Sequence, residues 1–216
     1  MIIVEVGQNH CGDMELARTL IRLAKDNGAD LVKFQLYDHK KLYPNNEVPN
    51  TALTQHQANM LFKYGEGHGI EVFFSVFDVE RVKWCEEMGV KTYKIACDRI
   101  TDELFYAIPN DAELIVSYSH EWEGERYGQG LLCVPRYPAW LSDYRFSECD
   151  FGLGYDGISD HTIGLTTAKV AIARGAKIIE KHFAIDHFTG VDSAWSMTPF
   201  ELKQLKEWHD EVQKIL

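Results

Sequence analysis

Three observations point to the α/β class and to a minimal, closed (β/α)8 barrel of the TIM type. Eight short apolar, partly β-branched segments recur at roughly residues 2–6, 30–36, 70–75, 91–96, 113–117, 130–134, 151–158 and 177–182, each with the length and character of a buried strand. Helical patterns fill several of the gaps, and strand alternating with helix implies parallel strands joined by right-handed crossovers. The 216 residues are enough for one sizeable core, and eight repeats favour a closed barrel over an open doubly wound sheet.

The elements follow in order. After the first segment, Asp13 is an N-cap, Leu16, Ala17, Leu20, Ile21 and Ala24 share one helix face, and Gly28 stops the helix. The next helix opens with the capping box Thr54 to Gln57, and a third runs from Asp78 to near Gly89. Only about a dozen residues separate Ser117 from Leu131, among them His120, Glu121 and Trp122, so the crossover after the fifth strand is predicted to be shortened. A later helix is expected from Thr162 to the stop at Gly175. The last opens with Thr198, Pro199 and Glu201 as N-cap, N1 and N3. No linker or composition shift divides the chain, which reads as one domain over residues 1–216.

Charge and composition narrow the function. The formal net charge is −11 and the 22 Lys and Arg form no basic run, which excludes a nucleic-acid backbone as the expected partner. No apolar stretch approaches the ~20 residues of a membrane span. The N-terminus lacks the basic region and apolar core of a signal peptide, so no membrane partner and a cytoplasmic location are expected. The 5 Cys, with no Cys-x-x-Cys pair, suit reduced thiols.

In such a barrel the catalytic groups project from the C-terminal ends of the strands, so polar residues inside or just after apolar runs carry the information. Glu5 closes the first segment, and Lys33 and Gln35 share one face of the second. Lys94 interrupts the fourth, Ser117 ends the fifth, Ser159, Asp160 and His161 follow the seventh, and Glu180 and His182 share one face of the eighth. Gathered at one mouth, these groups would be costly to desolvate without a ligand. The lysines and hydroxyls suit a phosphate or carboxylate. His161 and His182 suit a divalent ion of the Mn, Fe or Zn kind.

At these residues the sequence resembles the sialic acid synthase family. The resemblance runs through ordered blocks over nearly the whole chain: EVGQNHCGD from Glu5 to Asp13, GADLVKFQ from Gly28 to Gln35, YKIA from Tyr93 to Ala96, Tyr137-Pro138, SDHTIG from Ser159 to Gly164, and GAKIIEKHF from Gly175 to Phe183. It implies an enzyme, a transferase that condenses phosphoenolpyruvate with an N-acetylmannosamine-type sugar and releases phosphate by C–O cleavage. By resemblance, Lys33, Gln35, Lys94, Ser117 and Ser159 hold phosphoenolpyruvate, His161 and His182 hold Mn2+ or Mg2+, Glu180 stands beside the reacting carbons, and Glu5 and Tyr137 line the site near the sugar. The partners it implies are phosphoenolpyruvate and an amino-sugar acceptor, with a homodimer as a further expectation.

The departures are specific. Where the family has Lys-Ile-Ala-Ser-Gly-Glu, this chain has Lys94-Ile95-Ala96-Cys97-Asp98-Arg99, so at Cys97 a hydroxyl becomes a thiol and at Arg99 an acidic sugar contact becomes a cation. Pro135 stands where a polar side chain is expected, and the family's Gly-Pro-Asp-His block is Gly190-Val191-Asp192-Ser193, which keeps Asp192. The chain is expected to comprise the barrel without the family's C-terminal antifreeze-like domain. Two other readings stand beside the leading one: condensation with a different sugar aldehyde, and a non-catalytic barrel that binds sugars or phosphates.

Overall fold

The computed structural model describes residues 1–45 and 47–215. Eight parallel strands close a barrel in sequence order: β1 (Ile2–Gly7), β2 (Leu31–Leu36), β3 (Glu71–Val76), β4 (Thr92–Ile95), β5 (Glu113–Tyr118), β6 (Gln129–Cys133), β7 (Gly157–Asp160) and β8 (Ile178–His182), with β8 pairing back onto β1. Around it run α1 (Met14–Asp26), α2 (His39–Leu42), α3 (Gln55–His68), α4 (Val79–Met88), α5 (Asp102–Ala107), α6 (Thr166–Ala173) and α7 (Pro199–Val212).

The start and stop signals act as the sequence suggests. Asp13 caps α1 through the amides of Glu15 and Leu16, and the α1 face of Ala17, Leu20, Ile21 and Ala24 is buried. Capping boxes open α3 at Thr54 and α7 at Thr198, with Pro199 in its first turn. Asp78 caps α4, which ends at Gly89 in the left-handed conformation that glycine adopts freely.

Two elements are displaced from the sequence reading. The seventh strand is Gly157–Asp160, where residues 151–158 were expected, because Phe151 to Tyr155 close a small turn with Gly152 at φ 98°. Gly157 opens the strand, and a Cβ there would lie 1.8 Å from the Ile178 carbonyl oxygen of β8, a close approach that requires glycine. The helix expected from Thr162 starts at Thr166, since the Thr162 amide and hydroxyl are committed to Asp160 Oδ1 at 2.8 and 2.7 Å. The short α2 and α5 carry too few residues to leave a periodic pattern.

The crossovers are uneven. Among the described residues no α-helix connects β5 to β6, as expected, and the β6 to β7 connection carries only the 3₁₀ turns Leu141–Asp143 and Phe146–Glu148, a second thinning that the sequence reading missed. Loop aromatics cover this side of the barrel, with Tyr144 and Tyr155 buried and Trp122, Phe146 and Phe151 packed on the core. Inside the barrel, Ile3, Phe73, Ile115, Leu131 and Ile178 are buried one alternation below the polar residues of the mouth.

Outside that layer, Lys181 and Asp160 form an ion pair at 3.1 Å with both side chains fully buried, and Lys181 also donates to the Thr162 carbonyl at 2.6 Å. The pair ties β7 to β8 at the level of the mouth. Removing one partner of a buried pair costs about 3–5 kcal/mol, so Lys181→Met is expected to lower Tm by about 6 °C or more, and Asp160→Asn added to it should recover part of the loss. A thermally silent Lys181→Met in differential scanning calorimetry would show that the pair is no structural tie.

Candidate active site

Strand register assembles the mouth. Parallel neighbours in register project to the same face, so a polar residue on one strand meets its registered partners at the barrel axis. Glu5 registers with Lys33 on one side and His182 on the other. Ser75 lies between Gln35 and Lys94, and Ser159 between Cys133 and Glu180.

Four charges fill the centre. Lys33 forms a close ion pair with Glu5, stands 3.6 Å from Glu180 Oε2 and donates to Ser75 Oγ at 2.7 Å. Lys94 stands 3.7 Å from Glu180 Oε1 and donates to Ser117 Oγ at 2.7 Å and to the Ile95 carbonyl at 3.0 Å. Ser159 donates to Glu180 Oε1 at 2.7 Å. All four charged side chains are at most 6% exposed.

Burial sets their protonation. Desolvation pulls the Lys33 ammonium down to about 8 even though the Glu180 charge opposes it. Burial alone would raise Glu180, but Lys33, Lys94 and the Ser159 hydrogen bond outweigh it and hold the carboxyl down at about 2. The cavity that these groups enclose is about 30 Å³, room for a water or two. A larger anion enters only by replacing the carboxylates as partner of the lysines.

His161 and His182 close one side, with ring centroids 5.7 Å apart. Burial lowers both, His161 to about 4 and His182 well below the usual imidazole range, so both imidazoles are neutral near pH 7. His161 Nδ1 donates to the Val134 carbonyl at 2.8 Å, which leaves the lone pair on Nε2, 3.3 Å from Ser159 Oγ. His182 Nδ1 is buried without a hydrogen bond, 3.6 Å from Asp192 Oδ2. Neutral, oriented imidazoles with free lone pairs fit a divalent transition-type ion. Among the described residues no cluster of three His, Cys, Asp or Glu surrounds them.

A wider vestibule of about 230 Å³ continues outward, lined by Gln8, Tyr43, Phe77, Arg99, Asp192 and Trp195 among others, and shares Gln35, Tyr137 and His182 with the inner cavity. Tyr137 lies over His161, centroids 4.2 Å apart. Burial pushes the Asp192 carboxyl up to about 6 against the pull of the Gln8 amide and Lys33. Gln8 is fixed by Tyr37 and Thr51 at 3.1 Å each and by Tyr43 at 2.6 Å. Asn9 accepts from the Asp192 amide at 2.9 Å and donates to Phe183 O and Ser196 Oγ, which fastens the β8 loop to the β1 loop.

Of the positions singled out in the sequence, Glu5, Lys33, Lys94, Cys97, Ser117, Ser159, His161 and Glu180 line the inner cavity. Gln35, Tyr137 and His182 lie at the junction, and Arg99 and Asp192 in the vestibule. Sequence reasoning missed Ser75, Cys133, Phe77, Trp195 and Tyr144. Ser75 had a signal, a hydroxyl in the apolar run of β3 on the same alternation as Lys33 and Lys94. Tyr144 had none: its hydroxyl donates to the Ser159 carbonyl and accepts from the His161 amide at 3.1 Å, a contact that only the folded loop creates.

A closed α/β barrel whose C-terminal mouth buries two lysines, two carboxylates and two neutral histidines is the site of an enzyme acting on an anion. The chain belongs to the NeuB family, whose sequence model matches residues 20–120 and 123–216. It is 31% identical to N,N'-diacetyllegionaminic acid synthase of Campylobacter jejuni, over 100% of this chain and 77% of that protein. It is 29% identical to the synthase of the same name from Legionella pneumophila, over 100% of this chain and 72% of that one. The crystal structure of N-acetylneuraminic acid (sialic acid) synthetase from Leptospira borgpetersenii, in complex with citrate, matches with a TM-score of 0.91 at 28% identity, covering 99% of this chain and 84% of that one. The chain is thus a carbon–carbon-bond-forming transferase of the sialic acid synthase type.

If the carboxylates hold the lysines in the ligand-free site, Glu180→Gln strands positive charge in a buried place. Loss of such a partner costs about 3–5 kcal/mol, so Tm is expected to fall by about 6 °C or more, and added sulfate should raise the Tm of the variant more than that of the wild type. Equal Tm and equal response to sulfate would contradict the arrangement.

Proposed function

We propose that the protein condenses phosphoenolpyruvate with an amino-sugar aldehyde of the N-acetylmannosamine type to form a sialic-acid-like nonulosonate, releasing inorganic phosphate. The observation that carries this reading is the buried Lys33, Glu5, Glu180, Lys94 cluster opening directly into a vestibule with aromatic and polar walls. One compartment suits a compact, multiply charged anion, the other a polyol.

Lys33 and Lys94 take the charges of phosphoenolpyruvate while Gln35, Ser117 and Ser159 donate hydrogen bonds to its oxygens. The anion replaces Glu5 and Glu180 as partner of the lysines, so the same ammonium groups that stabilise the fold bind the substrate. C3 of phosphoenolpyruvate forms a bond to the aldehyde carbon of the acceptor, whose oxygen gains a proton. A water oxygen then bonds to C2 and Glu180 accepts one of its protons, which balances the proton gained by the aldehyde oxygen. The bond from C2 to the phosphate oxygen breaks with its electron pair leaving on phosphate, and the second water proton leaves the C2 hydroxyl with that phosphate, so that C2 becomes a keto carbon. Lys33 and Lys94 face the charge that accumulates on the departing phosphate. In the vestibule Tyr137 orients the acceptor over the histidines and Asp192 accepts from its hydroxyls, with Arg99 at the far side. Cys97, on the turn after β4, lines the inner cavity as a weak donor.

His161 and His182 would hold the divalent ion, which when bound supplies Lewis acidity toward the acceptor carbonyl oxygen. Two imidazoles suit Mn2+ better than Mg2+, which prefers oxygen ligands.

The direct test is phosphate release from phosphoenolpyruvate with a panel of N-acyl hexosamines and Mn2+ under anaerobic conditions. Release dependent on both phosphoenolpyruvate and a sugar is expected. Loss of one charge-assisted contact is worth about 1.5–3 kcal/mol, so Lys94→Ala should bind phosphoenolpyruvate at least tenfold more weakly. Absence of release with every acceptor, and no binding of phosphoenolpyruvate, would contradict the reading.

A pH dependence follows from Lys33. Its ammonium is charged below about 8 in the free protein, and the bound anion favours the charged form. Affinity for phosphoenolpyruvate is therefore expected to be flat below pH 7.5 and to fall as pH rises through 8 to 9.5, up to about tenfold per unit. In Lys33→Arg, which stays charged, calorimetric titrations should show that fall removed. An identical fall in the variant would assign it to another group.

A further inference from the structure

A buried donor stands without a partner where the two compartments meet. Trp195 closes the 3₁₀ turn Ser193–Trp195 in the loop after β8 and lines the vestibule. Its Nε1 is buried and, among the described residues, has no hydrogen-bond partner. The indole is edge-on to His182, with ring centroids 6.3 Å apart at 85°, and tilted against Tyr137, with centroids 6.0 Å apart. Gln35, Ala96, Tyr137 and His182 line both the vestibule and the inner cavity, so Trp195 packs on two of the residues that form the passage between them.

The mount of this donor is firm. Ser193 Oγ donates to the Gly190 carbonyl at 2.9 Å, Ser196 Oγ to the Asp192 carbonyl at 2.7 Å, and Asn9 Nδ2 to Ser196 Oγ at 2.9 Å. An indole N–H is neutral and a donor only. A buried polar group that a well-held loop leaves unpaired asks for an explanation, and a role toward substrate is one that its place supplies. With phosphoenolpyruvate in the inner cavity and the sugar in the vestibule, the carbon–carbon bond forms at the passage, and the aldehyde carbon and oxygen are the acceptor atoms that reach it. As C3 of phosphoenolpyruvate bonds to that carbon, the carbonyl electron pair moves onto the oxygen, where negative charge grows. A fixed donor with no partner in the resting protein has none to give up when that charge develops.

We propose that Trp195 is a catalytic residue of the condensation, its Nε1–H donating to the aldehyde oxygen of the acceptor and stabilising the alkoxide that forms there. The inference rests on the condensation reading above and adds a residue to it. The indole keeps its own proton, and the proton that the oxygen then gains comes from solvent.

The test compares wild type with Trp195→Phe, which keeps an aromatic ring on His182 and Tyr137 and removes the donor. Since no described protein group accepts from Nε1, Tm is expected to stay within about 2 °C, and the calorimetric affinity for phosphoenolpyruvate within a factor of about two. In phosphate release with phosphoenolpyruvate, N-acetylmannosamine and Mn2+, kcat is expected to fall at least about tenfold, with both KM values within a factor of about three, the pattern of an interaction made only in the transition state. A second readout needs no variant and no turnover. N-acetylmannosaminitol, the open-chain alcohol, puts a C1 hydroxyl oxygen where the aldehyde oxygen stands, and added to the Mg2+-loaded wild type it is expected to move the assigned indole N–H resonance of Trp195 downfield, while phosphoenolpyruvate alone leaves it in place. An unchanged kcat, a loss carried by KM alone, or an indole resonance that ignores the alcohol overturns the inference. So does a variant that loses stability and phosphoenolpyruvate affinity together, since Trp195 is then a structural residue. Wild-type release that survives in Trp195→Phe sinks the catalytic donor and leaves the condensation standing, whereas no wild-type release with any N-acyl hexosamine sinks the condensation and the inference with it.

Discussion

Two buried lysines and two buried carboxylates at the barrel axis impose the constraint that organises this protein. Charges so deeply removed from water are tolerated only when they are paired and hydrogen-bonded. Lys33 leans on Glu5, Glu180 and Ser75, and Lys94 on Glu180, Ser117 and the Ile95 carbonyl. The side-chain partners arrive from β1, β3, β5 and β8, so the pairing depends on the register of those strands with β2 and β4. The same pairing explains why the inner cavity is nearly closed: the carboxylates and lysines fill the barrel axis.

The rest of the molecule supports that centre economically. The side between β5 and β7 lacks crossover α-helices among the described residues, and loop contacts replace them. Arg126 donates to the Gly154 carbonyl at 2.6 Å and lies 4.0 Å from the centroid of Tyr155. Tyr144 fastens the end of β7, where Ser159 and His161 enter the site. On the opposite side Asn9 binds the β8 loop to the β1 loop and so sets Asp192 beside His182. Thin walls and a firmly held rim suit a site whose specificity lies in its loops, while its charge handling lies in the strands.

Legibility in the sequence follows the same division. Strands β1 to β6 and β8, the caps at Asp13, Thr54, Asp78 and Thr198, and the polar residues interrupting apolar runs were readable, because alternation, capping and burial are local or periodic rules. The interrupted pattern was enough to single out Lys33, Gln35, Lys94, Ser159, Glu180 and His182 as one mouth before any coordinates. Phe151 to Tyr155 misled because two aromatics and a leucine imitate a strand, while Gly152 and Gly154 turn the chain. The missing helix between β6 and β7 was hidden by a long polar and aromatic segment whose order comes from contacts such as that of Arg174 with the Phe146 carbonyl at 2.9 Å. Phe77, Trp195 and Tyr144 were illegible for one shared reason: each reaches the site from a loop or turn, and loop geometry is set by tertiary contacts that no periodicity records.

The central claim is that phosphoenolpyruvate binds by taking the lysines from their carboxylates. A crystal structure of the protein soaked with phosphoenolpyruvate and Mn2+ tests it most directly. The account predicts ligand oxygens within hydrogen-bond distance of both Lys33 Nζ and Lys94 Nζ, with the Glu5 carboxylate moved off Lys33. Ligand confined to the vestibule, with the pairing of Lys33 to Glu5 intact, would contradict it.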